Sequence, residues 1–296
     1  MKVSFIYAHE GEEWSTPLSL IKEFYSRGWE TEIVTIGSNR TGIYTDENLK
    51  NWIRSTPHTD IVIHMDFGRF DSFYLNKQHL SKAFWVMECG DDPQNFEKNL
   101  NKTYKFDYMF TPDHDCYLKY KALYNDRVDW ITHFADTNVQ YHMKVPIDYI
   151  AVTTRGMGGS FFLDSLTQHA NGSIGNKNGL MGIDHTKFLN SGMMVIQNSR
   201  YGEITRRIFE GMACGKIVIT DRLNESKKLH ELFIENEEIV FYDDLTDCIN
   251  KINYYYDNNY EREKIAFNGM KKTLANHTQK NVVDKIIDKW KSYQLV

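Results

Sequence analysis

The feature that most constrains this chain is the run from Met193 to Asp221, MMVIQNSRYGEITRRIFEGMACGKIVITD. It opens on an apolar stretch, Met193 to Ile196, short enough for a buried strand, which the polar residues Gln197 to Gly202 then break. From about Glu203 the apolar positions fall at Ile204, Ile208 and Met212, widened by Phe209 and Ala213, which is the spacing of a helix with one buried face. Gly215 suits the position after the last turn, where a left-handed backbone is wanted. Lys216 through Thr220 reads as a second buried strand. Strand, loop, helix and strand make a crossover unit, which confines the chain to α/β folds with ligands at the carboxyl ends of the strands.

On that helix Glu203, Arg206, Arg207 and Glu210 share one arc at 100° per residue, away from the apolar stripe. One reading is a solvated face laced by Glu203–Arg207 and Arg206–Glu210 pairs, each contributing about 0.2–0.5 kcal/mol. The other starts from the helix N-terminus, whose free N–H groups and partial positive charge follow a polar loop carrying Arg200. That is a seat for a diphosphate, with a carboxylate further along the helix to accept ribose hydroxyls.

Arg207 to Gly215 (RIFEGMACG), followed by KIVITD, resembles the signature of group-1 glycosyltransferases with the GT-B fold. It is most similar to their spore-maturation-protein-type branch. The resemblance implies an α/β protein of two Rossmann-like, doubly wound domains facing each other across a cleft. Residues 1–143 would bind the acceptor and residues 144–296 the nucleotide-sugar donor. It implies that Glu210 holds the donor ribose, and that Arg155, Gly156, Gly158, Arg200, Tyr201, Gly202, Arg206 and Arg207 line the donor site. Many members carry a further Glu eight positions before the ribose-binding one, near the donor sugar. Here Gly202 stands in that place, and Glu203 is one step out of register.

The activity so implied moves a sugar from a nucleotide-diphosphate sugar, a UDP-sugar, to a hydroxyl acceptor without metal or other cofactor. The acceptor could be a glycan, a protein, a small molecule or a modified nucleic-acid base. The competing reading, which Gly202 permits, is a catalytically silent homologue that binds nucleotide-sugars or glycans.

A net charge of −5 argues against a strongly electrostatic nucleic-acid binder. No apolar run approaches the ~20 residues of a membrane span. The four cysteines, Cys89, Cys116, Cys214 and Cys248, are scattered and form no C-x-x-C pair. With no leader-like segment, they read as reduced thiols of a cytoplasmic protein.

The first half alternates strands with helices, which implies a parallel sheet. Strands are expected at Val3 to Ala8, Glu32 to Ile36, Asp60 to Met65, Ala83 to Met87, Tyr108 to Thr111 and Val128 to Ile131. Ser15-Thr16-Pro17 starts the first helix, which ends at Arg27-Gly28. The segments FWVME-DDP (84–88 and 91–93) and FDYMFT (106–111) are similar to those of the spore-maturation branch. Acidic loops at the strand ends hold His9, Glu10, Glu12, Glu13, Asp66, Glu88, Asp91 and Asp92. A general base for the acceptor hydroxyl is sought there, with Glu10 and Asp92 as the catalytic candidates. Ordinary helix capping is the competing reading of each. Asp113-His114-Asp115 forms a D-x-D after an apolar strand, a pattern that can hold Mg²⁺ or Mn²⁺ on a donor diphosphate in a metal-dependent glycosyltransferase. It is also an ordinary helix start with Asp113 as the cap, and this is the favoured reading, with no metal site expected.

In the second half a strand is expected at Asp148 to Val152, ending in the Gly-rich Thr153 to Ser160, where Arg155 and close-approaching backbone N–H groups suit a phosphate. Ala170 to Asn178 reads as an exposed polar loop. Further helices are expected at His185 to Asn190, at Leu229 to Phe233, at Leu245 to Tyr256 with a stripe of Ile249, Ile252 and Tyr256, and at Asn281 to Trp290. A strand is expected at Ile239 to Tyr242. In GT-B proteins the last helix commonly returns to the first domain.

Overall fold

The computed structural model describes residues 1–9, 14–38, 43–44, 47–55, 57–65, 82–103, 105–153, 165–168, 170–177, 179–199 and 201–295. The chain packs as two units: Met1–Thr132 together with Gln279–Val296, and His133–Thr278. These limits differ from the 143/144 boundary read from sequence punctuation. Residues beyond Thr132 already bond into the second unit, Ala135 N–H to His277 O and Met143 N–H to Asn190 Oδ1.

In the first unit the elements are β1 (Lys2–Tyr7), α1 (Thr16–Ser26), β2 (Glu30–Thr35), the short antiparallel pair β3 (Gly37–Ser38) and β4 (Ile43–Tyr44), α2 (Glu47–Arg54) and β5 (Ile61–His64). They continue with β6 (Phe84–Glu88), α3 (Phe96–Thr103), β7 (Tyr108–Thr111), α4 (His114–Tyr124) and β8 (Val128–Trp130). The sheet runs β2-β1-β5-β6-β7-β8 with every pair parallel. A parallel sheet must be covered on both faces, so its inner strands are largely apolar, whereas the edge strands β2 (ETEIVT) and β8 (VDW) keep polar residues. Ile6, Val62, Trp85, Met87, Met109 and Val128 form one core face beneath Leu49, Trp52 and Tyr120.

The opposite face, carrying Phe5, packs on Phe24 of α1 at 5.9 Å between ring centroids. The terminal helix α10 (Gln279–Gln294) also lies there: Trp290 meets Trp29 at 5.3 Å, Tyr293 meets Phe84 at 5.0 Å, and Asp284 takes a 2.6 Å bond from Arg27. α1 starts where Ser15 Oγ accepts the Leu18 N–H, with Pro17 in its first turn.

The second unit contains β9 (Tyr149–Thr153), β10 (Ile174–Asn176), α5 (Gly182–Asn190), β11 (Gly192–Gln197), α6 (Arg206–Ala213), β12 (Ile217–Asp221), the one-turn α7 (Leu229–Leu232), β13 (Val240–Tyr242), α8 (Leu245–Asp257) and α9 (Asn259–Asn276). Its sheet, β10-β9-β11-β12-β13, is again parallel. Of the exposed loop expected at 170–178, residues 171–173 are exposed and irregular, but 174–176 form the strand β10. It is a three-residue edge strand without an apolar run, so periodicity does not reveal it. Gly175 is needed there, since a Cβ would stand 2.8 Å from the Tyr149 ring. α8 buries Cys248, Ile252 and Tyr255, with Ile249 partly buried against the same core, and leaves Tyr256 40% exposed. The expected stripe of Ile249, Ile252 and Tyr256 therefore holds at Ile252 and is displaced by one residue at its ends. The long helix α9, absent from the sequence expectation, buries Arg262, Ile265, Ala266, Gly269 and Thr273 along one side. Among the described residues no helix is long and apolar enough to cross a membrane.

At Gly269 a Cβ would lie 2.4 Å from the Glu238 carbonyl oxygen. Gly→Ala within a helix ordinarily stabilises by about 0.5–1 kcal/mol. Here the overlap with fixed backbone reverses the sign, and Gly269→Ala is expected to lower unfolding stability by about 1–3 kcal/mol in urea titration. An unchanged or higher midpoint would show that α9 does not press on residue 238.

Candidate functional site

The loop after β11 is held by its neighbouring strands before α6 begins. The Ser199 N–H bonds to Asp221 Oδ1 at 2.9 Å and its hydroxyl to Asp221 Oδ2, both at the end of β12. Asn198 Nδ2 donates to the Tyr242 hydroxyl from β13 at 2.8 Å, and that hydroxyl donates to Gln197 O at 3.1 Å. Gly202 adopts φ +69°, which a side chain would resist. The Glu203 carboxylate turns back to accept the Tyr201 N–H at 2.6 Å. Glu203 therefore precedes the helix, and the expected Glu203–Arg207 pair does not form. Arg207 Nε donates instead to Gln197 Oε1 at 2.6 Å.

α6 starts with Thr205 in extended backbone as its cap residue. The Thr205 hydroxyl is buried and, among the described residues, has no hydrogen-bond partner. Gly211 lets the helix press on its sheet, because a Cβ there would stand 3.1 Å from the side chains of Val195 and Val218. Along the polar arc Glu203, Arg206 and Arg207 are half-buried and Glu210 is buried. Glu210 is only 4% exposed, so the solvated-face reading of this helix is corrected. Its Oε1 lies 3.2 Å from Arg206 Nε, and its Oε2 lies 3.9 Å from Nδ1 of His185 on α5.

Phe134 places its ring 4.8 Å below the Arg206 guanidinium. Beside it, burial first and the Arg206 and Arg207 charges second push the His133 imidazole down to about 4, so it is neutral at pH 7. The second unit thus assembles a carboxylate, two guanidiniums, a buried hydroxyl and a helix N-terminus. His133, Phe134 and His185 lie far from this segment in sequence, and no spacing rule could have picked them out. Tyr201 is 46% exposed on the same loop. Arg155, Gly156, Gly158 and Arg200 lie outside the described residues.

Of the catalytic candidates in the first unit, Glu10 lies outside the described residues, as do Glu12, Glu13 and Asp66. Asp92 is 4% exposed, after the carboxyl end of β6. Its Oδ2 accepts the Thr111 hydroxyl at 2.8 Å and its Oδ1 accepts Asn99 Nδ2 at 3.0 Å. Burial raises its carboxyl to about 6 against those hydrogen bonds, with the nearby Asp113 charge adding to the rise. Asp113 Oδ1 accepts the Cys116 N–H at 3.0 Å and caps α4, the favoured reading of the D-x-D. Among the described residues no group of three or more His, Cys, Asp or Glu side chains could hold a metal ion.

Two parallel-sheet α/β units of this kind match the GT-B glycosyltransferase fold. A family described as "Glycosyl transferase-like" matches residues 160–288. No curated protein matches the sequence. Among solved structures, Anabaena HepE in complex with UDP-glucose is similar at 13% identity and TM-score 0.70, over 99% of this chain and 100% of that one. Sucrose-phosphate synthase from Thermosynechococcus elongatus is similar at 10% identity and TM-score 0.70, over 99% of both chains. S. aureus TarM in a complex that includes UDP is similar at 10% identity and TM-score 0.69, over 98% of this chain and 100% of that one. At such identities the likeness is one of fold.

The raised Asp92 carboxyl makes stability depend on pH. Its folded value of about 6 exceeds the ordinary 3.8, so the folded protein holds a proton that the unfolded chain has lost. That contribution, about 3 kcal/mol, is complete below about pH 4 and is lost as the pH rises through about 6. Asp92→Asn is expected to abolish this loss and to be at least as stable as the parent at pH 7. Urea midpoints at intervals from pH 4 to pH 7 check it, and an unchanged slope in the variant would assign the titration elsewhere.

Proposed function

We propose that the protein is a glycosyltransferase that moves a sugar from a UDP-sugar to a hydroxyl acceptor without a metal ion. The observation that carries this reading is the buried Glu210, held by Arg206 at the start of a helix whose capping hydroxyl has no partner among the described residues. A carboxylate so placed accepts two ribose hydroxyls. Arg206, Arg207, the Thr205 hydroxyl and the first N–H groups of α6 would then neutralise the diphosphate as it leaves. The UDP-glucose in HepE and the UDP in TarM support a uridine nucleotide here. Arg155, Gly156, Gly158, Arg200, Tyr201 and Gly202 belong to the same proposed donor site on the resemblance alone.

Asp92 stays in the proposal as the general base, since a carboxyl near 6 is close to the working pH. It would exchange its bond from Thr111 or Asn99 for the acceptor hydroxyl. Glu10 is its alternative. The spore-maturation branch rests on the segments 84–93 and 106–111. The four free cysteines suit a reducing compartment, the cytoplasm. A silent nucleotide-sugar binder is the second reading, favoured by Gly202 and by a Glu203 carboxylate bonded to the Tyr201 backbone rather than offered to a sugar. Release of UDP from UDP-glucose, with acceptor or by slow hydrolysis, separates the two.

Glu210→Gln is expected to weaken UDP binding about ten- to a hundredfold, the loss of a charge-assisted hydrogen bond worth about 1.5–3 kcal/mol. The donor affinity should fall in parallel. Calorimetry against UDP and GDP reads this directly, and unchanged affinity in a folded variant would remove Glu210 from the donor site. Because the pair is buried, Glu210→Ala should also destabilise the fold by about 3–5 kcal/mol, the usual cost of breaking a buried ion pair.

Donor turnover is expected to survive EDTA, because the cations above do the neutralising. Loss on chelation with rescue by Mn²⁺, reproduced by Asp113→Asn or Asp115→Asn, would overturn the metal-free reading.

A further inference from the structure

The first unit carries a cavity of about 770 Å³ at the edge of its sheet. Phe84 and Tyr108, the first residues of β6 and β7, form its floor, with residues 126 to 130 around the edge strand β8 on one side and α10 on the other. All these strands are parallel, and Asp92 and Asp113 follow their carboxyl ends. The cavity runs from the amino ends of β6 and β7 to Trp130 at the end of β8, and neither Asp92 nor any described residue of the proposed donor site is among its lining residues. Its size falls within the ~300–1,000 Å³ usual for small-ligand sites.

Its walls combine two chemistries. Tyr117, Trp130 and Tyr293 offer partly exposed aromatic rings. Around them stand four carboxylates, Asp107, Asp126, Asp129 and Asp288, and three cations, Arg127, Lys285 and Lys289. Several of these groups are fixed before any ligand arrives. Lys289 Nζ sits 3.1 Å from Asp129 and 5.4 Å from the Tyr108 ring centre, and Asp129 accepts the Tyr108 hydroxyl at 3.0 Å. Arg127 is tied to the Phe106 and Asp107 carbonyls. Groups held in place lose little freedom on binding.

We propose that this cavity is a docking site for a neutral glycan, separate from the site of transfer. A pyranose presents an apolar C–H face that lies on an aromatic ring, and a hydroxyl edge that both donates and accepts. The rings meet the first and the mixed carboxylates and cations meet the second. Four carboxylates against three cations leave no net positive charge to hold a phosphate or an acidic chain, so a neutral oligosaccharide fits better than a nucleotide. Holding a glycan here would raise its local concentration for any chemistry elsewhere on the protein. The inference goes beyond the transferase proposal and does not depend on it.

The test uses the full chain and four neutral probes: maltotetraose, cellotetraose, mannotetraose and N,N′,N″,N‴-tetraacetylchitotetraose. Saturation-transfer NMR detects binding and calorimetry measures it, with UDP titrated into the same samples. At least one tetrasaccharide is expected to bind, with affinity reduced tenfold or more in Tyr293→Ala or Asp126→Ala and with UDP affinity unchanged. Asp126 is exposed, so its variant keeps the fold intact. Binding of none of the four, binding that neither variant weakens, or displacement by inorganic phosphate would overturn the proposal. A protein that binds tetrasaccharide but not UDP would keep this inference and sink the transferase reading; the reverse would do the opposite.

Discussion

The second unit depends on how closely α6 approaches its sheet. Gly211 faces Val195 and Val218, and without a side chain it lets the helix settle to a distance at which a Cβ would crowd both valines at 3.1 Å. Glycine has this use wherever backbone and neighbour must nearly touch. On the same helix Glu210, one residue before Gly211, is out of water, and a carboxylate out of water needs a partner. Arg206, one turn earlier, supplies it, and Phe134 supports the guanidinium from below.

Such an arrangement is a poor way to gain stability. Desolvating two charges costs several kcal/mol per ion, and a well-packed apolar pair of similar volume would often be as stable or better. The Thr205 hydroxyl, buried without a partner among the described residues, adds to that cost. Two expensive features at one helix start have a natural explanation if a ligand's hydroxyls and phosphate oxygens complete them. The first unit shows a milder version at Asp92, whose burial is offset by bonds from Thr111 and Asn99 and still leaves the carboxyl near 6.

Much of the architecture was legible in the chain. Buried parallel strands are apolar on both faces, so β1, β5, β6, β7, β11 and β12 stand out as short apolar runs. Ser15, Asp113 and Gly215 mark helix ends for local reasons of hydrogen bonding and backbone angle, and each appears where those rules put it. The helix α9 was just as periodic, with buried positions at 262, 265, 266, 269 and 273, yet its glycine and many charges disguise it. The edge strand β10 carries no such signal, because it pairs on one side only and Gly175 contributes no apolar surface.

For the site, the sequence alone determined the segment and the residue types: a carboxylate and two arginines at the start of a helix between two parallel strands, because local periodicity fixes which residues share that face. Whether that face met water or protein was decided only by the tertiary structure. The spacing of Glu203, Arg206, Arg207 and Glu210 fits a solvated face as well as a buried one, and what separates them is what packs there, His185 against Glu210 and Phe134 against Arg206. The approach of His133, Phe134 and His185 was likewise decided in three dimensions. Their contacts join residues tens of positions apart, and side-chain burial depends on what the rest of the chain brings alongside.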